Sequence, residues 1–450
     1  MGSLMDTLME FAGWMWGWPL VIILTLASII YSFSLKFVQF TRFGFIMENT
    51  LGKFFKKETK GEGTLTPVQA VSSALAGTLG TGNIAGVGVA IGLGGPGAVF
   101  WMWIVALLAA VVKYAEVVLG IFHREKDAEG VYRGGFMYMI TNGLGEKWKP
   151  LAIIWSFLFF IQFFIGGAVQ SNALADSLNL SFNTNNLVVG IITAIFAGIV
   201  IIGGIKRIGK FAEKVVPIMA VLYFIGAVII IILNLGAIPG ALSEIVSSAF
   251  SGSAQAGGFA GATFMMVIRH GFSRGVFSNE AGMGTSPIAH STAITDHPAR
   301  QGIWGIFEVL IDTIVMCTMT AMVIMVTGTL TSGETGASLT ALAFNQGLPG
   351  SGDIIVSLAT VFFAFTTILL AEFYSETGLQ YVFGNKVVKP FRYLFLIGLV
   401  LGAVGGLKEV WGLFDLFMAL TVAINVIFVV AMRKDVIRLT EEFFGSDGKL

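Results

Sequence analysis

The chain has 450 residues, of which 55% are hydrophobic and 12% are charged. Soluble globular chains carry about 25% charged residues. Together with a mean hydropathy of +0.84, this composition excludes a large soluble core and indicates a polytopic membrane protein. The formal net charge of zero gives no reason to expect a nucleic-acid partner. The single cysteine, Cys317, cannot form an intrachain disulfide.

Apolar runs recur along the whole chain and predict an all-α polytopic membrane protein with about eleven transmembrane helices, each run having about the 20 residues that a span needs. The first run, 14–35, follows Asp6 and Glu10 instead of a positively charged segment. We therefore interpret it as a span and not as a cleaved signal peptide. The ten later runs, here called core helices 1 to 10, are predicted at 66–93, 97–122, 150–177, 186–204, 211–235, 258–290, 300–329, 353–382, 391–407 and 410–432.

Positive charge alternates between the connections. Of the 27 Lys and Arg residues, 23 lie in the alternate segments 36–65, 123–149, 205–214, 291–300, 383–392 and the C-terminal tail. Since cytoplasmic loops carry the excess of Lys and Arg, we expect a multi-pass protein of the plasma (cell) membrane with its N-terminus outside. The tail, 433–450, is then cytoplasmic.

A short motif occurs twice. Asn83–Gly88 and Asn279–Gly284 both read N-x-A-G-x-G, in core helices 1 and 6. An odd number of spans separates the two copies, so the second is inverted in the membrane, as in inverted-repeat transporters. This predicts an extra helix at 1–40 and two five-helix repeats at 66–235 and 258–432. The alternative is that these glycines only allow helices to pack closely.

The stretch Gly271–Gly275 also reads G-x-S-x-G, the pattern of a serine-hydrolase nucleophile elbow. That elbow needs a preceding strand, whereas the residues before Gly271 lie in a predicted span. No third catalytic group is evident beside the four histidines, so we expect no catalytic residue and no enzyme. A channel, whose pore such breaks would line, is a further alternative.

Three segments carry a family resemblance: GTGNIAGVGVAIGLGGPGAVFWMW (80–103), GFSRGVFSNEAGMGTSPIAH (271–290) and PARQG (298–302). They resemble the alanine/glycine:cation (sodium:alanine) symporter family of the amino acid–polyamine–organocation superfamily. The resemblance implies a LeuT-type 5+5 inverted-repeat fold with core helix 1 broken at 76–83 and core helix 6 broken at 271–278, plus one extra N-terminal helix. It further implies a sodium-coupled secondary symporter that imports alanine or glycine by alternating access, with Na⁺ as coupling ion and no cofactor.

The resemblance also implies substrate contacts. The amino acid's carboxylate would meet backbone N–H groups near Thr81 and Gly82, as anions do at helix N-termini. Thr78 would offer its carbonyl to the ammonium group or to an ion, and Gln170 would add a side-chain contact. The break of core helix 6 would complete the pocket with Gly271, Phe272, Ser273, Gly275, Phe277 and Ser278.

A sodium site is implied where core helices 1 and 8 meet. Its ligands would be the carbonyls of Ala76 and Leu79 and the hydroxyls of Thr366 and Thr367, since hard cations prefer oxygen ligands. Alternatively, the two hydroxyls bond only to their own helix. Asn83 and Asp312 are further candidates for the ion.

Ionisable residues inside spans are candidates for function. Asp312 is either an ion or proton site or the partner of Arg269 or Arg274. Arg274 and Glu280 are candidates for a pair or a gate.

Three other positions have open interpretations. We interpret Lys113 and Glu116 as interfacial, and Glu372 and Glu376 as a solvated or paired face. Lys214 is either a snorkelling residue or, by the resemblance to some proton-coupled relatives, a replacement for sodium. A proton-coupled amino-acid transporter of the same fold is therefore the main alternative function.

Overall fold

The computed structural model describes residues 2–54, 60–251, 264–405 and 408–446. The N-terminal part contains helices Gly2–Met15, Trp18–Ser34, Val38–Thr41 and Phe43–Asn49. Core helices 1 to 5 comprise Pro67–Thr78 with Val87–Gly94, then Gly97–Phe122, Lys149–Phe182, Asn186–Ile201 and Gly204–Leu233. Core helices 6 to 10 comprise Phe264–Asn279 with Ser286–Ser291, Pro298–Val309 with Thr318–Val326, Gly352–Phe383, Val388–Val404 and Lys408–Ala431.

Shorter elements connect these helices. Helices Phe136–Leu144, Ile238–Ser251 and Gly336–Gly347 lie in three of the connections, and Arg433–Ser446 forms the tail. Strands Glu125–Lys126 and Tyr132–Arg133 form a two-stranded antiparallel hairpin between core helices 2 and 3. Core helix 8 packs along core helix 3, while core helices 6 and 7 both pack against core helix 2. Core helix 2 is thus a central, mostly buried element.

Within the described ranges, eight helices are long and apolar enough to cross a membrane, or nine if core helix 1 is counted as one bent span. The helix Asn186–Ile201 has 16 residues and falls short of that length. The predicted run 258–290 begins outside the described residues and is interrupted after Asn279. The protein is therefore a multi-pass helical membrane protein, while the count of eleven spans stays a prediction.

Core helix 1 begins and breaks for local reasons. Thr66 and Gln69 form a capping box, in which each side chain accepts from the other residue's backbone N–H, and Pro67 follows the cap. The helix ends at Thr78, and Leu79 has ψ 86°, outside the helical region. The chain then continues through a π-helical turn at Gly82–Gly86, and the two parts meet at 49°. The predicted break at 76–83 is thus observed, with Leu79 and Gly80 as its non-helical residues.

Core helix 6 breaks later than predicted. The predicted break, 271–278, lies inside the helix Phe264–Asn279, and the non-helical residues are 280–285. Gly282 and Gly284 have φ of 84° and 80°, values that glycine adopts without the steric cost of a Cβ atom. The two N-x-A-G-x-G copies are consequently not equivalent, because the first is helical and the second forms a break.

Gly271 and Gly275 serve packing instead. A Cβ atom on Gly271 would lie 2.5 Å from the Cβ atom of Trp101, and one on Gly275 would lie 2.5 Å from Cγ1 of Val105. Both contacts are with core helix 2, so these glycines let two helices approach closely. This is the small-residue packing role that we weighed for the motif glycines.

Candidate functional site at the broken helices

A cavity of ≈30 Å³ lies where the breaks of core helices 1 and 6 approach core helices 3, 8 and 10. Thr78, Gly82, Gln170, Phe277 and Thr367, all predicted site residues, line it. The lining also includes Gly77, Gly80, Phe163, Gly166, Glu280, Met283, Ala371 and Phe414, which were not predicted for the pocket. The structure therefore brings half-helix ends, an amide and two hydroxyl side chains to one small space.

Several polar atoms around this cavity have no partner. The hydroxyl oxygen of Thr78, the Oε1 atom of Gln170 and the Oε2 atom of Glu280 belong to lining residues, are buried and make no hydrogen bond to any part of the chain that the structure describes. The same holds for the hydroxyl oxygen of Thr81, which lies beside the lining residue Gly82 in the chain. Buried polar groups in proteins are nearly always hydrogen-bonded. Four such atoms at or next to one cavity are therefore suited to a small polar ligand.

Gly82 sets how closely core helices 1 and 6 approach each other. A Cβ atom on Gly82 would lie 3.1 Å from Cα of Ser278 and 3.3 Å from Cδ1 of Phe277. The backbone at Gly82 is thus within reach of any molecule that enters between the two helices. A side chain at this position would occupy that space.

The other predicted residues of core helix 6 lie elsewhere. Phe272 is buried with its ring centroid 6.2 Å from that of Trp101 on core helix 2. Ser273 lines a separate cavity of ≈120 Å³ with Arg269, Arg274 and other residues. Gly271, Phe272, Ser273 and Gly275 do not line the cavity at the breaks. Their part of the helix is unbroken, so the predicted break there is wrong, while their contact with the substrate stays a prediction. Ser273 also lies in mid-helix and does not follow a strand, contrary to a nucleophile elbow.

The two threonines of core helix 8 face different neighbours. The Thr367 hydroxyl lies 3.3 Å from the carbonyl oxygens of both Ala76 and Gly77 and donates to Phe363 at 2.9 Å. The Thr366 hydroxyl donates to carbonyls of its own helix and lies 3.6 Å from Sδ of Met219 on core helix 5. Thr367 therefore joins core helices 1 and 8, whereas Thr366 does not.

The residues beside Thr367 offer oxygen atoms only. Carbonyls of the last turn before the core helix 1 break and one hydroxyl form a neutral set that suits a hard monovalent cation, by analogy with the oxygen ligands of calcium and magnesium. The Ala76 carbonyl belongs to this set, with Gly77 as a neighbour that sequence reasoning missed. Leu79 is fully buried at the start of the break.

Asp312 lies in a polar network and not in an ion pair. Its carboxylate accepts from Asn83 at 2.7 Å, from Ser278 at 2.7 Å and from Thr313 at 2.8 Å. The residue is fully buried in a π-helical part of core helix 7. The network connects core helices 1, 6 and 7 just behind the cavity. Asn83 also accepts from the Gly80 N–H at 3.0 Å and so holds the break.

The pairs that we considered for the arginines are wrong. The nearest carboxylate to Arg274 is Asp415 of core helix 10, with Nη2 and Oδ2 3.7 Å apart. Neither Asp312 nor Glu280 pairs with Arg269 or Arg274 among the described residues. Glu280 instead lines the cavity from the core helix 6 break, with φ 56°.

Lys113 and Glu116 are fully buried, so their interpretation as interfacial residues is wrong. Lys113 Nζ donates to the carbonyl of Asn279 at 2.6 Å, at the end of the first half of core helix 6. Glu116 accepts from the backbone N–H groups of Gly282 and Gly284 at 2.9 and 3.0 Å. One turn of core helix 2 thus satisfies backbone groups at the start of the break and within it. The sequence signal was a Lys and a Glu three residues apart in an apolar run.

The charge of Lys113 is balanced by Glu308 of core helix 7, whose Oε2 atom lies 3.1 Å from Nζ. The Nε2 atom of His290 lies 3.2 Å from the same carboxylate oxygen, and its Nδ1 atom lies 2.9 Å from Nε2 of Gln301. All four side chains are buried. Buried charges persist only when they are paired and hydrogen-bonded, and this cluster meets that requirement.

The remaining charged candidates lie away from the cavity. Glu376 is paired, with Arg133 at 3.1 Å and Arg392 at 2.8 Å. Glu372 lies 3.8 Å from Arg392. Lys214 is exposed and lines a different, larger cavity. Of the two interpretations of Lys214, the snorkelling one agrees with this exposure.

Known proteins share this architecture and sequence. Residues 1–449 match the sodium:alanine symporter family. The chain is 42% identical over 437 residues to YflA of Bacillus subtilis (strain 168), described as an uncharacterized transporter, covering 96% of this chain and 92% of that protein. It is 38% identical over 448 residues to the sodium/alanine symporter AgcS of Methanococcus maripaludis, covering 98% and 97%.

A solved structure shares the fold. The manganese transporter of Eremococcus coleocola superimposes with a TM-score of 0.55 at 13% identity, covering 85% of this chain and 82% of that one. At this identity the likeness concerns the fold alone. The family match, in contrast, spans nearly the whole chain. The chain therefore belongs to the sodium:alanine symporter family, and it is a membrane-spanning amino acid–cation symporter and not an enzyme.

Proposed function

We propose that the protein imports alanine or glycine together with Na⁺, by alternating access in a LeuT-type 5+5 inverted-repeat fold. The N-terminus lies outside and the C-terminus in the cytoplasm. The observation that carries the substrate assignment is the cavity between the two helix breaks, whose lining residues Thr78, Gln170 and Glu280 each have a buried, unpartnered polar atom. Together with the family membership, it supports a small zwitterionic ligand.

In this proposal the carboxylate of the amino acid meets the backbone at Thr81 and Gly82, where the second half of core helix 1 begins. A helix N-terminus favours negative charge through its free N–H groups and its dipole. The ammonium group faces the Thr78 carbonyl, and Gln170 supplies a further polar contact. The carboxyl group of Glu280, which also lines the cavity and has an unpartnered oxygen, is a further acceptor for the ammonium group.

The bulky side chains that line the cavity limit the size of the substrate. Phe277 and Phe414 pack edge to face with centroids 5.9 Å apart, and both line the cavity. Phe163 and Met283 add bulk to the same lining. A cavity of ≈30 Å³ with such walls favours a methyl group or a hydrogen as the substrate's side chain.

Sodium binds beside the substrate, between Thr367 and the carbonyls of Ala76 and Leu79. Its charge offsets the substrate carboxylate, so that ion and substrate raise each other's affinity, as linkage requires. Asn83 and Asp312 act behind this site, where their hydrogen bonds hold the broken backbone. Thr366 faces core helix 5 and serves as an internal comparison.

Proton coupling is the second candidate, and its main sequence feature was Lys214. Lys214 is exposed and contributes to neither the cavity at the breaks nor the Thr367 contacts. This supports sodium over a lysine that replaces it. A channel is disfavoured by the symporter family membership.

The test is uptake of labelled alanine by proteoliposomes that contain the purified protein. An inward Na⁺ gradient should drive accumulation above the external concentration, and an equal K⁺ gradient should not. Accumulation that follows a proton gradient without Na⁺ would favour the proton-coupled alternative. Sodium-driven uptake of neither alanine nor glycine would contradict the substrate assignment.

A further inference from the structure

A cavity of ≈920 Å³ is separate from the site at the breaks. It lies between the helix Phe43–Asn49, the first turns of core helices 1 and 7, and the part of core helix 5 around Lys214. Six charged residues line it: Lys53, Lys60, Glu213, Lys214, Asp296 and Arg300. None of them has a role in the proposed transport site.

The charges around this basic cavity do not balance. Arg300 pairs with Asp296 at 2.6 Å, and Glu213 accepts a hydrogen bond from Gln69 at 3.0 Å. Lys53, Lys60 and Lys214 contact no carboxylate within 4.0 Å in the described ranges, although Lys53 donates to Asn49 at 2.7 Å. Three ammonium groups without a carboxylate partner thus face one space. Such an arrangement attracts a multivalent anion.

An apolar stripe continues from the mouth of the basic cavity. Ile218, Leu222 and Ile225 follow Lys214 at spacings of four, eight and eleven residues, which places all four on one face of core helix 5. The three apolar side chains are 60%, 56% and 50% exposed. In a membrane-spanning protein, such a face contacts lipid chains. A cationic end and an apolar stripe on one helix match the two parts of a lipid molecule.

We propose that the basic cavity binds the phosphate headgroup of an anionic phospholipid. The phosphate oxygens accept hydrogen bonds from Lys53, Lys60 and Lys214, and one acyl chain lies along the stripe on core helix 5. Basic pockets between transmembrane helices are suited to anionic headgroups. The stripe favours a lipid over a free phosphate, which has no apolar part.

The experiment compares three probes on the detergent-purified full-length protein: dihexanoylphosphatidylglycerol, dihexanoylphosphatidylcholine and glycerol 3-phosphate. Unfolding temperature is measured as each probe is titrated, because a ligand of the native state raises it in a saturable manner. Phosphatidylglycerol should raise the unfolding temperature with saturation, and the other two probes should have little effect. An equal effect of glycerol 3-phosphate would mean a soluble-anion site and would overturn the lipid assignment.

Lysine substitutions test whether phosphatidylglycerol binds at the basic cavity. The triple variant K53Q/K60Q/K214Q should bind phosphatidylglycerol at least tenfold more weakly. The matched control K386Q/K389Q/K434Q removes the same charge at three exposed lysines that do not line the basic cavity, and it should bind like the wild type. If the triple variant does not fold, K214Q alone should still weaken binding severalfold. Wild-type affinity in K53Q/K60Q/K214Q or in K214Q, or equal losses in both triple variants, would overturn the proposal.

Discussion

The breaks of core helices 1 and 6 face the same cavity but are held in different ways. At the first break, an uncharged amide of the same helix, Asn83, accepts from the freed N–H of Gly80. At the second, two ionisable side chains of another helix, Lys113 and Glu116, bind backbone groups at the start of the break and within it. Around the first break, the hydroxyl of Thr78 has no partner in the described chain.

This difference indicates that the first break belongs to the ligand site and that the second is mainly part of the scaffold. Backbone groups freed inside a membrane must be satisfied by protein, water or a bound molecule. At the second break, core helix 2 supplies partners to the backbone of Asn279, Gly282 and Gly284, whereas the buried Oε2 atom of Glu280 has no hydrogen-bond partner in the described chain. The first break leaves polar atoms for a ligand to complete. We therefore expect substitutions at the first break to affect binding, and substitutions beneath the second to affect stability.

The largest effect is expected for Gly82→Leu. The added side chain would occupy the space between Gly82 and Phe277, where a Cβ atom alone comes within 3.3 Å. Labelled-alanine uptake should fall to the level of empty liposomes. Gly86→Ala is the control, since its Cβ atom would lie 3.7 Å from Phe277 in ordinary contact. Wild-type alanine binding by G82L would refute the pocket.

Beneath the second break, Lys113→Met should destabilise the fold. It removes the donor to Asn279 and leaves the carboxylate of Glu308 without its cation, and breaking a buried ion pair costs about 3–5 kcal/mol. Unfolding in detergent, followed by heat or denaturant, measures this loss. The exposed Lys206 provides the matched control, Lys206→Met. Equal stability of K113M and K206M would show that the pair of Lys113 and Glu308 does not stabilise the fold.

At the first break, the substitutions Thr367→Val and Thr366→Val test whether the two threonines differ in their contribution to sodium binding. T367V removes the hydroxyl that faces the Ala76 carbonyl and should raise the half-saturating Na⁺ concentration about tenfold, equivalent to about 1.4 kcal/mol. T366V loses only contacts within core helix 8 and with Met219, so it should change that concentration little. Uptake against Na⁺ concentration gives both values. Equal effects would mean that the hydroxyls do not differ in role.

The smallest effect concerns the hairpin between core helices 2 and 3, which lies outside the spans. Partial burial raises the pKa of Asp127, but hydrogen bonds from Val131 and the ion pair with Arg133 outweigh it and hold the pKa below its usual value. A carboxyl with a lowered pKa stabilises the fold above its unfolded-state pKa and loses this as the pH falls through the folded value. Between pH 7 and pH 3, the unfolding temperature of the Asp127→Asn variant should therefore fall slightly less than that of the wild type. A steeper fall for D127N would contradict this sign.

The sequence was informative where the signal is local. Glycines mixed with hydroxyl and amide residues around Thr78 and Asn83 predicted the first break, because such residues weaken a helix without adding apolar contacts. The second break was misplaced because Gly271 and Gly275 look like helix breakers. A glycine in a sequence does not show whether it bends the chain or lets another helix approach. Here both glycines pack against core helix 2, and this contact could be recognised only in the structure.

Other features depended on distant partners. Glu116 binds backbone groups 166 and 168 residues away, which no local pattern reveals. Thr366 and Thr367 are adjacent, and successive residues of a helix point about 100° apart, so only the orientation of core helix 8 separates them. In both cases, the residue types were recognisable from the sequence, whereas their roles required the packing.

The central claim is that the amino acid binds between the two breaks with sodium beside Thr367. An experimental structure of the protein with alanine and Na⁺ tests it most directly. We predict density for alanine in the cavity lined by Thr78, Gly82 and Gln170, with its carboxylate at the Gly82 backbone and an ion within reach of the Thr367 hydroxyl. Alanine bound in the separate cavity beside Arg269 and Arg274, with the space between the breaks empty, would contradict it.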